Sequence, residues 1–426
     1  MTTLAIGGVD CQDLAAACGT PLYIYDEGKI EEQLRAAKTT FKSREFETEV
    51  VYAAKAFSCK AMFEKVSQAD AGLDVVSGGE LYCAWKSGVD MKKVYFHGNN
   101  KTPEELELAF EKGCKTIVMD NLMECEKIIA ISNERKQEVD VFLRINPGIE
   151  AHTHEYIMTA TPDSKFGINM GSKDNIVELI EKVTKSKYVS FKGFHSHIGS
   201  QITEFEAFGK ALEIMVDFIK TMESDFKIQT KQLSIGGGFG IKYIASDKPI
   251  PLDHMCKLLI EKCQDLIKEK KVSLEKLIIE PGRSIVGEAG STLYKIGYSK
   301  NTENKHYVFV DGGMSDNIRP ALYQAEYSCD IANKLDSPKN QSVCIAGKNC
   351  ESGDILIRLT KLQEEEPGDL LVIYSTGAYG YSMASNYNRA GKPPVVFAKG
   401  GKARVVIKGE SYEDQLRQDT NEELMF

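Results

Sequence analysis

Short apolar runs recur along the chain, and each is followed by a segment with helical periodicity. Between residues 50 and 280 this spacing predicts eight buried strands that alternate with helices. The predicted strands are Val50–Ala54, Gly72–Val76, Lys93–Phe96, Thr116–Met119, Val139–Ile145, Val189–His197, Gln232–Ile235 and Leu277–Glu280. Apolar residues at helical spacing from Phe205 to Ile219 predict a barrel helix. The alternation is typical of an α/β fold, the (β/α)8 TIM barrel.

After residue 287 the pattern changes, because strand-like runs follow one another with turn sequences such as Asp311-Gly-Gly between them. The runs are Tyr307–Val310, Ile355–Leu359, Leu370–Tyr374, Val395–Ala398 and Ala403–Ile407. We therefore expect a barrel domain over residues 28–286. A second, all-β domain, similar to a sandwich or barrel, is expected from residues 1–27 together with 287–426, with the strand near Tyr23 completing its sheet.

Composition limits the classes of function. Lys and Arg total 53 against 62 Asp and Glu, for a net charge of −9, and no basic block suggests a nucleic-acid partner. No apolar run approaches the ~20 residues of a membrane span, and the N-terminus does not resemble a signal peptide. The 11 cysteines show no C-x-x-C spacing, which favours free thiols in a reducing compartment. We expect a cytoplasmic protein without membrane or nucleic-acid partners.

Lys55 directly follows the first predicted strand, after the apolar run Val50-Val-Tyr-Ala-Ala. A lysine at the mouth of a barrel is partly desolvated, which lowers its pKa and frees the amine to attack an aldehyde. A lysine that only caps the strand and reaches solvent is the alternative. Active sites of such barrels lie at the C-terminal ends of the strands. The other residues predicted at these ends are Asp74, His97, Arg144, His197, Gly236–Gly238 and Glu280.

Two of these features predict a pyridoxal phosphate site. The glycines at 236–238 follow the seventh strand and let backbone N–H groups approach a phosphate, although a plain tight turn is the alternative. Glu280 follows the eighth strand and is placed to hold a protonated pyridine nitrogen, which makes the ring a strong electron sink. An ordinary ion pair with Arg283 is the alternative for Glu280.

His195 and His197 alternate on the sixth predicted strand, so their imidazoles are expected to face the same side. Zinc would need a third protein ligand, and the sequence shows no obvious carboxylate or cysteine partner, so no metal is expected. A packed histidine and a histidine stacked on a cofactor ring are the remaining interpretations. His152 and His154 lie in a polar loop that is predicted to be solvated.

The segments after the eighth predicted strand add candidates for substrate binding. Arg283 and Arg319 could each clamp a carboxylate through the bidentate fork of the guanidinium. Cys350 is a proton donor if it is held near an electrophilic centre, and an inert buried residue otherwise.

As a set, the motifs resemble the fold type III pyridoxal-phosphate-dependent decarboxylases, whose barrel is like that of alanine racemase. The match runs in order from about Pro21 to about Val396, with one departure at Thr159–Thr161, where relatives have glycine after the threonine. The motifs are Tyr52-Ala-Ala-Lys55-Ala, Asp74-Val-Val-Ser-Gly-Gly-Glu80, His97-Gly-Asn-Asn-Lys101, Ser164-Lys-Phe-Gly167, His195-Ser-His-Ile-Gly-Ser200, Gly236–Gly238, Glu280-Pro-Gly-Arg283, Arg319-Pro-Ala-Leu-Tyr323, Cys350-Glu-Ser-Gly-Asp354 and Gly377-Ala-Tyr379.

The resemblance implies a role for each matching residue. Lys55 would hold pyridoxal 5'-phosphate covalently, with His197 on the ring face and Glu280 at the ring nitrogen. The other cofactor-binding residues would be Asp74, Ser200, Gly237, Gly238, Gly282, Arg283 and Tyr379. The distal end of the substrate would contact Arg283, Arg319, Tyr323, Glu351 and Tyr379. Cys350 would deliver a proton to the substrate Cα.

Three activities fit this set. The first is decarboxylation of meso-2,6-diaminopimelate to L-lysine and CO2. The second acts on ornithine, lysine, arginine or carboxynorspermidine, and the third is a racemase or a binding protein without turnover. Racemases of this fold pair the ring nitrogen with arginine, so Glu280 favours decarboxylation.

Among these substrates, only diaminopimelate ends in a second α-amino acid centre, with both an ammonium and a carboxylate. Arg283 and Arg319 would match the carboxylate and Glu351 the ammonium, so we expect diaminopimelate as the substrate. The resemblance also implies a homodimer in which the β-rich part completes the partner's site.

Overall fold

The computed structural model describes residues 2–148 and 164–425, so the predictions for His152, His154 and Thr159–Thr161 lie outside the described residues. The strands in this part are β1 (Ala5–Ile6), β2 (Val9–Asp10), β3 (Leu22–Asp26), β4 (Glu47–Ala53), β5 (Gly72–Val75), β6 (Val94–Phe96), β7 (Thr116–Met119), β8 (Val139–Asn146), β9 (Ile168–Asn169), β10 (Val189–His195), β11 (Gln232–Ser234), β12 (Lys276–Ile279), β13 (Gly290–Asn301), β14 (His306–Val310), β15 (Cys329–Ile331), β16 (Gln341–Ala346), β17 (Ile355–Leu362), β18 (Leu370–Ile373), β19 (Val395–Lys399) and β20 (Lys402–Ile407). The α-helices are α1 (Cys11–Cys18), α2 (Glu27–Thr40), α3 (Lys60–Gln68), α4 (Gly78–Lys86), α5 (Pro103–Glu111), α6 (Leu122–Arg135), α7 (Lys173–Lys185), α8 (Phe205–Phe226), α9 (Leu252–Lys270), α10 (Arg283–Val286), α11 (Arg319–Tyr323) and α12 (Tyr412–Leu416).

One compact unit, residues 31–242 and 247–285, is a closed parallel barrel. Its strands pair in the order β4, β5, β6, β7, β8, β10, β11 and β12, and β12 returns to β4 with Ile279 opposite Val50. The short strand β9 adds to β8 outside this ring. The predicted (β/α)8 barrel is therefore confirmed.

The central barrel strands are largely apolar because both of their faces are covered. Every residue of β5, β6 and β7 is buried, as expected for a sheet with side chains inside and helices outside. Inside, the strands contribute one packed cluster, consisting of Val51, Tyr95, Val118, Phe142 and Ile278. The predicted helix near residues 205–219 is α8, whose buried residues include Phe208, Leu212, Met215 and Ile219.

The sixth barrel strand differs from its prediction. The strand β10 ends at His195, so His197 lies beyond the pleated part and the strand alternation does not apply to it. The prediction that the strand extends to His197 is therefore wrong, and strand alternation gives no ground for placing both imidazoles on one side. His195 contacts Glu280, whereas His197 contacts Gly237.

The second unit comprises residues 1–30, 243–246 and 286–426 and is built around an extended sheet. Its strands run in the order β17, β16, β14, β13, β3, β19 and β20, while β18 pairs with β13 and β15. The N-terminal strand β3 lies between β13, which is antiparallel to it, and β19, which is parallel. The prediction that this strand completes the sheet is confirmed. Within residues 2–148 and 164–425, no helix has the length and apolarity needed to cross a bilayer.

Candidate active site

Lys55 lies in the 3-10 turn Ala54–Ala56, directly after β4 at the C-terminal end of the barrel, and is half-buried. Gly282 lies against this turn. A Cβ atom on Gly282 would be 3.0 Å from the Cβ of Ala53 and 3.1 Å from that of Ala56. A larger residue at position 282 would therefore push the lysine turn away from the loop that follows β12.

Asp74 is the nearest acidic neighbour on the adjacent strand, because its Cα pairs in register with Ala53. Burial raises the pKa of the Asp74 carboxyl, and the charges of His97 and Lys55 only partly offset this shift. The Oδ1 atom of Asp74 is buried and has no hydrogen-bond partner among the described residues. Asp74 therefore adds a buried carboxylate beside the lysine turn.

Glu280 follows β12 and lies against three polar side chains of the barrel end. Its Oε1 accepts a hydrogen bond of 2.7 Å from the Ser234 hydroxyl, and its Oε2 is 3.1 Å from Nε2 of His195. Nε2 of His97 is 3.5 Å from Oε1. Burial alone would raise the pKa of Glu280, but His195 and His97 outweigh it and hold the pKa well below its usual range. Glu280 is therefore a buried carboxylate in a fixed orientation.

His195 is the imidazole that is hydrogen-bonded to Glu280. Burial lowers its pKa to about 4, although Glu280 opposes the shift. Because a carboxylate oxygen accepts, Nε2–H of His195 is the donor in this contact. The ligand atoms of His97, His195 and Glu280 lie within 4.8 Å of one another, a grouping that could also hold a metal ion. The expectation that the histidines have no carboxylate partner is thus wrong for His195, whereas the absence of a resident metal stays a prediction.

His197 contacts the glycine run that follows β11. The Gly237 N–H donates to its Nδ1 over 3.3 Å. Burial and the positive charge of Lys55 lower the pKa of His197 well below its usual range, so the ring is neutral. Gly238 has a φ of +109°, and a Cβ there would meet the Gly199 oxygen at 2.2 Å. Glycine is thus required at position 238 for this backbone to pack against the loop that carries His197.

Arg283 and Ser200 provide an anion-binding pair beside this glycine run. The guanidinium donates to the Ser200 hydroxyl through Nη2 at 2.9 Å and Nε at 3.3 Å, and Arg283 is 4% exposed. A cation, a hydroxyl and a glycine-rich backbone at one barrel end suit a phosphate, and Glu280 suits a ring nitrogen. The residues present therefore fit pyridoxal phosphate.

The remaining predicted site residues belong to the sheet unit. Arg319 begins α11 and is 5% exposed, with its guanidinium against the Tyr327 hydroxyl and 4.9 Å from the centre of the Tyr243 ring. Tyr323 ends the same helix. The tyrosines desolvate and orient a buried cation, an arrangement suited to binding a carboxylate.

Cys350 and Glu351 lie on a separate exposed loop, where the Cys350 N–H donates to Oδ1 of Asn388 over 2.7 Å. Tyr379 is half-buried with a left-handed φ of +60°. The sheet unit therefore presents its candidates from three segments: α11, the Cys350 loop and the Tyr379 turn.

Known proteins with the same sequence pattern are numerous and cover nearly the whole chain. Residues 27–287 match the sequence profile of the family described as "Pyridoxal-dependent decarboxylase, pyridoxal binding domain". The diaminopimelate decarboxylase of Halalkalibacterium halodurans is 46% identical over 417 residues, 98% of this chain and 95% of that protein. The chain belongs to the diaminopimelate decarboxylase family. The Bacillus subtilis enzyme of that name is 44% identical over the same shares of both chains.

Solved structures of the diaminopimelate decarboxylase family have the same fold. The enzyme from M. jannaschii, in a co-complex with L-lysine, matches with a TM-score of 0.90 and 33% identity over 98% of both chains. The Helicobacter pylori enzyme, complexed with L-lysine, matches with a TM-score of 0.86 and 30% identity, covering 95% of this chain and 98% of that one. The resemblance to fold type III decarboxylases is therefore confirmed.

In this member of the diaminopimelate decarboxylase family, the sequence-based prediction placed His97 at the barrel end and left several interpretations of His195 open, but it assigned neither a contact with Glu280, and it did not single out Ser234. The available signal for Ser234 was its position, because it ends β11 as His195 ends β10. Polar residues at strand ends of a barrel merit assignment to the site even where their partner is distant in sequence.

Asp316 titrates near neutrality within the sheet unit. Burial raises its pKa to about 7, although the Tyr294 hydroxyl and the Gly313 N–H both donate to the carboxylate. A carboxyl whose pKa is higher in the folded than in the unfolded state binds a proton more tightly when folded. Its contribution to stability is therefore present at low pH and is lost as pH rises from about 4 to 7.

We expect Asp316→Asn to remove this pH dependence. The wild type should lose several degrees of melting temperature relative to the variant between pH 5 and pH 8. The reason is that roughly 2–4 kcal/mol of the free energy of unfolding is linked to the proton on Asp316. Scanning fluorimetry of both proteins over this range measures the difference. A difference that stays constant with pH would mean that Asp316 is not the titrating group.

Proposed function

We propose that this protein decarboxylates meso-2,6-diaminopimelate to L-lysine and CO2 with pyridoxal 5'-phosphate as cofactor. The observation that carries the proposal is the near full-length similarity to diaminopimelate decarboxylases. The barrel end agrees with it, because it combines a half-buried lysine, a fixed buried carboxylate and an anion-binding pair. The 11 cysteines are free, in keeping with a cytoplasmic enzyme.

The cofactor would be held by side chains and backbone of the barrel end. Lys55 would bind its aldehyde carbon covalently, and His197 would pack against its ring. Its phosphate would be held by Ser200, Gly237, Gly238, Gly282, Arg283 and Tyr379. When bound, pyridoxal phosphate supplies an electron-withdrawing ring that stabilises negative charge at the substrate Cα after CO2 leaves.

Glu280 determines how strongly that ring withdraws electrons. The carboxylate is held ionised by Ser234 and His195, so it favours a proton on the ring nitrogen. Asp74 adds a second carboxylate, whose buried Oδ1 has no hydrogen-bond partner among the described residues. An ionised Glu280 favours decarboxylation over racemisation, because a racemase needs a weaker electron sink at the same place.

The distal end of the substrate selects among decarboxylases. Arg283 and Arg319 are buried cations, and with Tyr323 they would bind the distal carboxylate. Glu351 would bind the distal ammonium, and Tyr379 would contact the same substrate. Ornithine, lysine and arginine lack that carboxylate, so their binding would leave a buried guanidinium without an anion. By comparison with a broken buried ion pair, this costs on the order of several kcal/mol of binding free energy. Diaminopimelate satisfies both charges.

Cys350 would complete the reaction by giving a proton to Cα after CO2 leaves. Its loop is exposed, and its backbone is anchored at Asn388, so the thiol can approach a substrate while the main chain stays fixed. The proton takes the place of the lost carboxyl group, so this carbon becomes a CH2, and the L configuration of the product is that of the distal centre, which does not react.

The direct test is to supply the purified protein with pyridoxal phosphate and meso-diaminopimelate and to quantify L-lysine and CO2. Equal amounts of both products are expected. L-ornithine, L-lysine and L-arginine serve as competing substrates, and kcat/KM should be at least about 100-fold lower for each. Comparable or greater kcat/KM for ornithine would overturn the substrate assignment, and isomerisation of the substrate without CO2 would support the racemase alternative.

We also propose that two chains form a homodimer with composite sites, as the resemblance implies. Lys55 belongs to the barrel unit, whereas Cys350 and Glu351 belong to the sheet unit. An isologous dimer would supply two such sites, each with one chain's lysine and the partner's cysteine.

Complementation tests the shared site. Inactive Lys55→Ala and inactive Cys350→Ala, mixed in equal amounts and allowed to exchange subunits, should recover about a quarter of wild-type activity. Half the dimers are then mixed, and each mixed dimer has one intact site of two. Exchange is verified by native mass spectrometry with one isotope-labelled partner. Full exchange without recovered activity would place both residues in one chain's own site.

A further inference from the structure

Two loops of the sheet unit carry the residues proposed to bind the distal substrate end and to protonate Cα. The glycine turn, residues 311–318, leads directly into α11, which begins with Arg319. The cysteine loop, residues 347–354, carries Cys350 and Glu351. These loops are distant in sequence, yet the structure joins them through one carboxylate.

That carboxylate belongs to Asp354, which is 3% exposed. Its Oδ1 accepts a 2.6 Å hydrogen bond from the Met314 N–H in the glycine turn. Its Oδ2 accepts a 2.8 Å hydrogen bond from the Asn349 N–H in its own loop. Asp354 therefore bonds to the main chain of both loops at once.

Further contacts surround this connection. The Lys348 N–H donates to the Gly312 oxygen over 2.9 Å, and Nδ2 of Asn349 donates to the Ser315 hydroxyl over 3.2 Å. The approach is close enough to demand glycine, since a Cβ on Gly313 would lie 2.4 Å from Oδ2 of Asp354. The two loops thus pack main chain against main chain around a buried charge.

Burying a carboxylate costs folding free energy, so Asp354 must make interactions that offset this cost. Burial raises the pKa of Asp354, and the N–H donors of Met314 and Asn349 only partly offset the shift. A hydrophobic residue would avoid this cost but would leave both donors without acceptors. Both loops are therefore held by an interaction that only a two-acceptor side chain provides.

We propose that Asp354 is a positioning residue that holds the helix of Arg319 and the loop of Cys350 and Glu351 in one fixed arrangement. The inference rests on the proposed function, because the roles of these three residues come from it. Asp354 itself touches neither substrate nor cofactor in this account. Its effect is to fix the spacing between the carboxylate-binding arginine and the proton donor.

The test compares Asp354→Asn with Asp369→Asn in the otherwise unchanged holoenzyme. Asp369 is a matched control, because it is also buried in the sheet unit and also anchors a turn. It accepts from the Glu366 N–H at 2.7 Å and from Nδ2 of Asn333 at 2.8 Å, and it also pairs with Nζ of Lys334 at 2.8 Å, so its replacement is a strict control for loss of stability. Both variants lose one charge of a buried turn, but only Asp354 connects to the proposed substrate residues.

Three measurements are made on each variant: kcat and KM for meso-diaminopimelate, the rate of Cys350 alkylation by iodoacetamide, and the melting temperature. For Asp354→Asn we expect KM to rise about 10-fold and kcat to fall about 10-fold, since two backbone donors then share one acceptor. Alkylation of Cys350, followed by peptide mass spectrometry, should quicken at least about 3-fold as its loop loosens. Asp369→Asn should change only the melting temperature.

The rescue variant Asp354→Glu keeps both oxygens and should recover part of the loss in kcat. Should Asp354→Asn match Asp369→Asn in KM, kcat and alkylation rate, Asp354 is a structural residue alone and the proposal is overturned. Failure of the proposed function gives a different result. In that case the wild type does not turn over diaminopimelate, while the alkylation rate still reports whether Asp354 holds the cysteine loop.

Discussion

Replacing Lys55 by alanine should abolish turnover, with a loss in kcat of at least about 1,000-fold, and should remove the visible absorbance band of lysine-bound cofactor. The physical reason is that this amine is the one placed to bind the aldehyde, in the turn after β4 and beside Asp74. The barrel should remain folded, because the side chain is half-buried and its turn is held by the backbone around Ala53 and Gly282.

A matched control is Lys60→Ala, because Lys60 lies nearby at the exposed start of α3. Its kinetic constants and spectrum should equal those of the wild type. Circular dichroism and the melting temperature of both variants separate loss of chemistry from loss of fold. A Lys55→Ala protein with near-normal turnover and spectrum would remove the assignment of Lys55 as the cofactor lysine.

Replacing Arg319 by alanine should raise KM for meso-diaminopimelate by roughly 30–1,000-fold, which corresponds to about 2–4 kcal/mol for one arm of a buried charged clamp. Residual activity on lysine or ornithine should not fall in parallel, since neither substrate has the distal carboxylate. The selective rise in KM is the informative result, because a general weakening of the fold would reduce turnover of every substrate.

Arg358→Ala is the control for charge and size, since Arg358 lies exposed on β17 in the same unit. This variant should leave KM unchanged. Because Arg319 also contacts Tyr327 and Tyr243, some loss of melting temperature is expected on its removal. Equal losses on diaminopimelate, lysine and ornithine would mean that Arg319 supports the fold rather than the substrate.

The barrel could be predicted from sequence because each of its strands is recognisable from the residues of that strand alone. A strand buried on both faces, such as β7, is a continuous apolar run that needs no knowledge of its neighbours. The residues at strand ends could be grouped for the same reason, because parallel strands bring their C-terminal ends to one edge. Lys55, Asp74 and Glu280 were therefore assignable to one end of the barrel before any coordinates.

The rest depended on partners that sequence does not reveal. The contact between His195 and Glu280 joins residues 85 positions apart, and the contact between Met314 and Asp354 joins residues 40 positions apart. Nothing in the local sequence around any of these residues indicates its partner. The long strand β13 has no clear strand pattern in its sequence, because most of its second half is exposed. Its hydrogen-bonded pairing depends on the strands on either side. The secondary structure of a residue and its place at a strand end can be predicted from the local sequence, whereas the identity of a distant partner cannot.

The position of β3 has a consequence for biosynthesis. This strand is among the first to leave the ribosome, yet its neighbours β13 and β19 begin at residues 290 and 395. At ~5–20 residues per second, translation reaches β19 roughly 20–75 s after β3. The barrel, whose closing strand β12 ends at Ile279, is fully synthesised well before that time. Throughout the interval the nascent chain carries an apolar strand with at least one open edge, so it is exposed to aggregation and to chaperone binding until the last part of the sheet is made.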